Sequence, residues 1–90
     1  MDIDSARVQI NEIDKEIVSY LEKRFNMVLQ IGKYKKESNL PVYDEEREKI
    51  VIENCIRFLN NKEYAKCIED IYKQIMESSK ELQQWTKISY

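Results

Sequence analysis

Three polar residues, Arg24, Ser79 and Gln83, stand where the helical repeat of the surrounding sequence places apolar ones. A guanidinium facing inward is costly unless an anion satisfies it, because it cannot deprotonate to escape desolvation. That anion is either a carboxylate of the chain, such as Asp14 or Glu48, or a ligand. Lys35 follows Arg24 by eleven residues, three helical turns on, about 20° off the same face and roughly 16 Å along the axis. Two cations on one face frame a gap that suits a small dicarboxylate if a neighbouring helix closes it. Arg7 lies on another face, about 25 Å from Arg24, and can serve such a gap only in the partner chain of an antiparallel dimer. Ser79 and Gln83, four residues apart, turn a hydroxyl and an amide to the same side. Arg47 and Glu48 open a helix directly after a loop and, read alone, are surface charges.

Histidine is absent. This removes the commonest general base, the Ser-His and Cys-His dyads and most zinc sites, since two cysteines make only half a tetrahedral shell. Any enzyme built on this chain is expected to work with no metal and no cofactor. Cys55 and Cys67 are expected to be reduced, half-buried thiols of a cytoplasmic protein.

The elements that must position these groups are helices. Positions 3, 6, 10, 13, 17, 20, 24, 27, 31 and 34 alternate steps of three and four, and Arg24 alone breaks their apolar character. This predicts one helix from about Asp4 to Lys36, capped by Asp2 or Asp4 and ended by Ser38, Asn39 and Pro41. Such a helix is about 50 Å long, whereas a compact chain of this size has a diameter near 30 Å. Its seam is therefore expected to continue against a second copy, in an antiparallel homodimer. A second helix is predicted from the N-cap Asp44 to about Leu59, with Asn60 and Asn61 ending it in the left-handed region. The third runs from about Glu63 to Thr86, with Tyr64, Cys67, Ile68, Ile71, Tyr72, Ile75, Met76 and Leu82 as its apolar stripe.

Composition agrees. Ninety residues with one glycine and one proline cannot make the turns of a barrel or sandwich, so a single all-α domain over residues 1–90 is expected. Leu, Ile, Val and Phe number 24, enough for a core in a chain that is 36% charged. A net charge of −2 argues against a general nucleic-acid binder, and no apolar run approaches the ~20 residues of a membrane span. No basic and apolar leader opens the chain.

The ordered set Arg7, Ile-Asp-Lys-Glu-Ile, Leu-Glu-Lys-Arg24, Ile-Gly-Lys-Tyr-Lys35, Pro-Val-Tyr-Asp44-Glu-Glu-Arg47-Glu48 and Ile-Met-Glu-Ser-Ser79-Lys-Glu-Leu-Gln83-Gln resembles the all-helical chorismate mutase family from Ala6 to Gln84. The resemblance implies an intertwined dimer of three-helix chains and the intramolecular Claisen rearrangement of chorismate to prephenate, on the branch to phenylalanine and tyrosine. No proton moves in that reaction, so a chain without histidine or metal suffices.

Carried over position by position, the resemblance implies that Arg24 and the partner's Arg7 bind the two substrate carboxylates. Lys35 and Gln83 would donate to the ether oxygen. Glu48 and the backbone amide of Asp44 would hold the ring hydroxyl, Ser79 would assist a carboxylate, and Arg47 would support the cationic wall or reach substrate through water. Where some relatives carry a glutamate that must be protonated, Gln83 donates at any pH, which implies a rate nearly flat around neutrality. No further domain is expected after Gln83, so feedback control is expected to come from a partner protein. The other readings are isochorismate-pyruvate lyase on the same fold, a plain helical dimerisation module, and an inactive regulatory subunit.

Overall fold

Asp2 starts the first helix. Its carboxylate accepts from the Asp4 N–H at 3.3 Å, and the helix α1 then runs over Ile3–Glu37. This computed structural model describes residues 2–41 and 43–88, the side chains of residues 85–88 excepted. Lys35 and Lys36 lie in the last turn of α1, where the macrodipole favours cations. Asn39 then takes φ 56°, and the Leu40 N–H closes on the Lys35 carbonyl at 2.7 Å. Asparagine tolerates that left-handed step better than most residues, so the helix ends there.

Helix α2, Glu45–Phe58, is capped by Asp44, whose Oδ1 accepts from the Arg47 N–H at 3.0 Å. Glu45, Glu46 and Glu48 fill its first turn, again with the sense the dipole favours. Its C-terminus differs from the expectation. Asn60 and Asn61 do not adopt positive φ; Leu59 leaves the helix in an extended conformation instead. Lys62 satisfies two carbonyls at that end, donating to Ile56 at 2.7 Å and to Arg57 at 3.0 Å. Asn61 caps a 3₁₀ turn over Lys62–Tyr64 by accepting from the Glu63 N–H at 3.0 Å. The third helix, α3, spans Ala65–Ile88 and so begins two residues later than expected.

Helix α3 packs against both α1 and α2 and carries the core. Among the described residues only Met76 and Ser79 are buried. Tyr64, Cys67 and Ile71 belong to the expected stripe but are exposed. Tyr64 falls in the 3₁₀ turn, before α3 begins, and Cys67 and Ile71 share a flank that neither α1 nor α2 covers. Cys67 is thus an exposed thiol rather than a half-buried one, while Cys55 is half-buried; both are free.

The molecule measures 54 × 26 × 15 Å, and its radius of gyration is 16.2 Å against about 12 Å for a compact chain of this length. The excess belongs to α1. Ile10, Ile13 and Ile17 on its seam are 53%, 52% and 49% exposed, so its N-terminal half finds no apolar cover in its own chain. No strand occurs among the described residues.

With so few apolar side chains fully buried, Met76 carries an unusual share of the packing. Met76→Ala is expected to cost about 2–5 kcal/mol in denaturant unfolding, and a loss below about 1 kcal/mol would contradict this assignment of the core.

Candidate active site

Each helix contributes one wall to a cleft of about 270 Å³. Such a volume lies at the small end of small-molecule sites, which run to roughly 300–1,000 Å³. From α1 come Arg24 and Lys35, separated by the apolar Met27, Val28 and Ile31. The start of α2 supplies Asp44, Arg47 and Glu48, with Val51 beneath them. From α3 come Met76, Ser79, Lys80 and Gln83. Seven of the eight residues singled out from sequence therefore meet at one place. Arg7 does not; it lies on the exposed N-terminal half of α1, away from this cleft.

Arg24 is half-buried, and its nearest polar partner is neutral. Its Nη1 donates to the Ser79 hydroxyl at 3.3 Å, and that hydroxyl donates in turn to the Ile75 carbonyl at 2.7 Å. The chain directs the hydroxyl's own proton back into α3 and leaves its lone pairs for the guanidinium. Tyr72 adds a ring face 5.8 Å from the Arg24 guanidinium carbon. Burial pushes the Tyr72 phenol up from its ordinary pKa, helped by a hydrogen bond with the Cys55 thiol and opposed by the Arg24 charge. It stays neutral. Among the described residues no carboxylate pairs with Arg24, so the internal salt bridge to Asp14 or Glu48 does not form.

Gln83 is held from α1. Its Nε2 donates to the Val28 carbonyl at 2.8 Å, which fixes the nitrogen side of the amide toward the α1 wall. The amide has a second N–H for the cleft. No group of three or more His, Cys, Asp or Glu side chains among the described residues could hold a metal ion. Arg24, Lys35, Arg47, Ser79 and Gln83 on the cleft walls are groups that bind anions and donate hydrogen bonds.

Residues 6–84 match the family model for chorismate mutase type II. The chain belongs to that family. It is 30% identical over 94 residues to the bifunctional chorismate mutase/prephenate dehydratase of Aquifex aeolicus, covering 99% of this chain and 26% of that protein. The T-protein of Haemophilus influenzae is 33% identical over 76 residues, 81% of this chain and 20% of that one. The chain thus spans about a quarter or less of the length of these curated relatives. Among solved structures, chorismate mutase (Form II) from Thermus thermophilus superposes with a TM-score of 0.86 at 26% identity, covering 91% of this chain and 93% of that one. A conserved hypothetical protein from Pyrococcus furiosus gives a TM-score of 0.74 at 36% identity, covering 90% and 93%.

One further residue of this cleft is not among those the sequence singles out. Lys80 reaches the Glu48 carboxylate at 3.5 Å and the Glu77 carboxylate at 3.1 Å, with its ammonium 4.6 Å from the centre of the Tyr43 ring. It anchors Glu48 to α3 and ties the segment before α2 to the same point. Its spacing of four from the buried Met76 was the available signal, since that spacing puts both on one side of α3.

The hydrogen bond to Glu77, then the charges of Glu48 and Glu77, hold the Lys80 ammonium above its ordinary pKa of 10.5. A raised lysine stabilises the fold below the unfolded value and ceases to do so as pH climbs through the folded one. The contribution of Lys80 to wild-type stability is expected to be lost only as pH rises above about 10.5, and Lys80→Met should flatten part of the fall there. Identical slopes for the two proteins would contradict the bridging role of Lys80.

Proposed function

We propose that this chain catalyses the rearrangement of chorismate to prephenate, in a homodimer whose clefts are each completed by Arg7 of the partner subunit. The observation that carries the reading is the unneutralised Arg24, set with Lys35, Arg47, Ser79 and Gln83 around one small cleft. A substrate with two carboxylates supplies the missing anions. Arg24 takes one and the partner's Arg7 the other, which holds the flexible ether in the chair from which it reacts.

The reaction breaks the ether C–O bond as a C–C bond forms, with no proton transferred. Negative charge builds on the ether oxygen as its bond lengthens. Lys35 and the free N–H of Gln83 donate to that oxygen, so their contribution grows on the way to the transition state. Glu48, tethered by Lys80, and the Asp44 amide receive the ring hydroxyl. Ser79 supports Arg24 and through it a substrate carboxylate, and Arg47 reinforces the cationic wall.

Magnitudes are sufficient. A millionfold acceleration needs about 8 kcal/mol, and each charge-assisted hydrogen bond gives roughly 1.5–3 kcal/mol in addition to the gain from holding one conformer. The dimer is supported by the same sequence feature that makes α1 outrun its domain: an isoleucine seam left half exposed. The reading carries with it a cytoplasmic location, in which both free thiols stay reduced.

Loss of chorismate absorbance on adding the protein tests the reading, with isochorismate as control for lyase activity. Lys35→Ala is expected to lower kcat by about a hundredfold or more while the helical circular dichroism spectrum is retained. A folded Lys35→Ala variant with turnover near that of wild type would contradict the role given to the ammonium.

A further inference from the structure

The chain has one glycine, and it lies inside a long helix. Glycine is the poorest helix former after proline, and Gly32 has no positive φ that would call for it. Another demand must hold it there. A Cβ built at position 32 would meet the Gln83 side chain, at 3.0 Å from Cγ, 3.3 Å from Nε2 and 3.4 Å from Cδ. Those three atoms are the part of Gln83 that sets the amide.

The acceptor of that amide lies one turn earlier on the same helix. In an α-helix the N–H of residue 32 donates to the carbonyl of residue 28, so the Val28 carbonyl is shared between Gly32 and the Gln83 Nε2 at 2.8 Å. A carbonyl inside a helix is normally shielded by the side chain one turn on. With no side chain at 32, Gln83 lies in the notch and reaches it. This bond settles which end of the amide faces α1, and it engages one N–H while leaving the other for the cleft.

We propose that Gly32 is a positioning residue for catalysis, a notch in α1 that seats the Gln83 amide against the Val28 carbonyl and so aims its second N–H at the reacting ether oxygen. The inference rests on the role proposed above for Gln83. A methyl group at 32 would displace a flexible side chain, not backbone, so the fold accommodates it while the amide moves. Displacements of about 1 Å in a catalytic group can cost on the order of a hundredfold in rate.

The experiment combines Gly32→Ala, Gln83→Ala and the double variant, each measured for kcat, KM and thermal midpoint on chorismate. Gly32→Ala is expected to keep or raise the midpoint, because alanine favours the helix, while kcat falls about tenfold or more and KM changes little. In the Gln83→Ala background the same substitution should change kcat by less than about twofold, since there is no amide left to misplace. Gly32→Ala with wild-type kcat beside an impaired Gln83→Ala would overturn the notch alone. Gln83→Ala with full activity would overturn the role of Gln83 and the notch with it. An equal loss from Gly32→Ala in both backgrounds, or a marked drop in its midpoint, would show the glycine serving packing instead and would also overturn the proposal.

Discussion

A guanidinium held half-buried against a neutral hydroxyl is the constraint on which the rest of this structure depends. Arg24 is kept in the groove between α1 and α3 by Ser79, which can accept its hydrogen bond but cannot neutralise its charge. Had the chain supplied a carboxylate there, the groove would be a closed ion pair with no appetite for a ligand. The carboxylate on the cleft wall nearest in role, Glu48, is drawn toward Lys80. Charge is thus sorted within the cleft: the acid Glu48 is paired with Lys80, whereas Arg24 meets a neutral hydroxyl.

For the proposed reaction, that sorting lets so plain a fold suffice. A pericyclic rearrangement asks for one conformer and for donors where charge develops, and it asks for no titrating group. Helices suit this, because their side chains are fixed by backbone that does not move. The cost appears elsewhere, in a polar groove where a core would be and in a first helix longer than its own domain. In the proposed homodimer a second copy would relieve both, covering the isoleucine seam and bringing a further arginine.

Much of this was legible in the sequence because it depends on period alone. The three-and-four repeat of α1 gave its length, and the same repeat exposed Arg24 as an intruder. The caps Asp2 and Asp44 are local, needing only a short side chain and the next turn's N–H groups. What period could not give is how the helices are rotated about one another. The Lys80 to Glu48 bridge, the Gln83 bond to the Val28 carbonyl and the exposed flank of Cys67 and Ile71 all depend on that rotation. The end of α2 departs from the sequence expectation for a different reason. Asn60 and Asn61 are good left-handed residues, but Asn61 is a better cap for the 3₁₀ turn, and Lys62 reaches back to the carbonyls that a left-handed residue would have served.

The central claim is that an anion site begun by Arg24 in one chain is finished by Arg7 of the other, and mixing tests it most directly. Arg7→Ala and Arg24→Ala proteins, each inactive alone, should on co-refolding recover about a quarter of wild-type activity, because half the dimers are mixed and each mixed dimer holds one intact site. A mixture no more active than its two components would contradict the account.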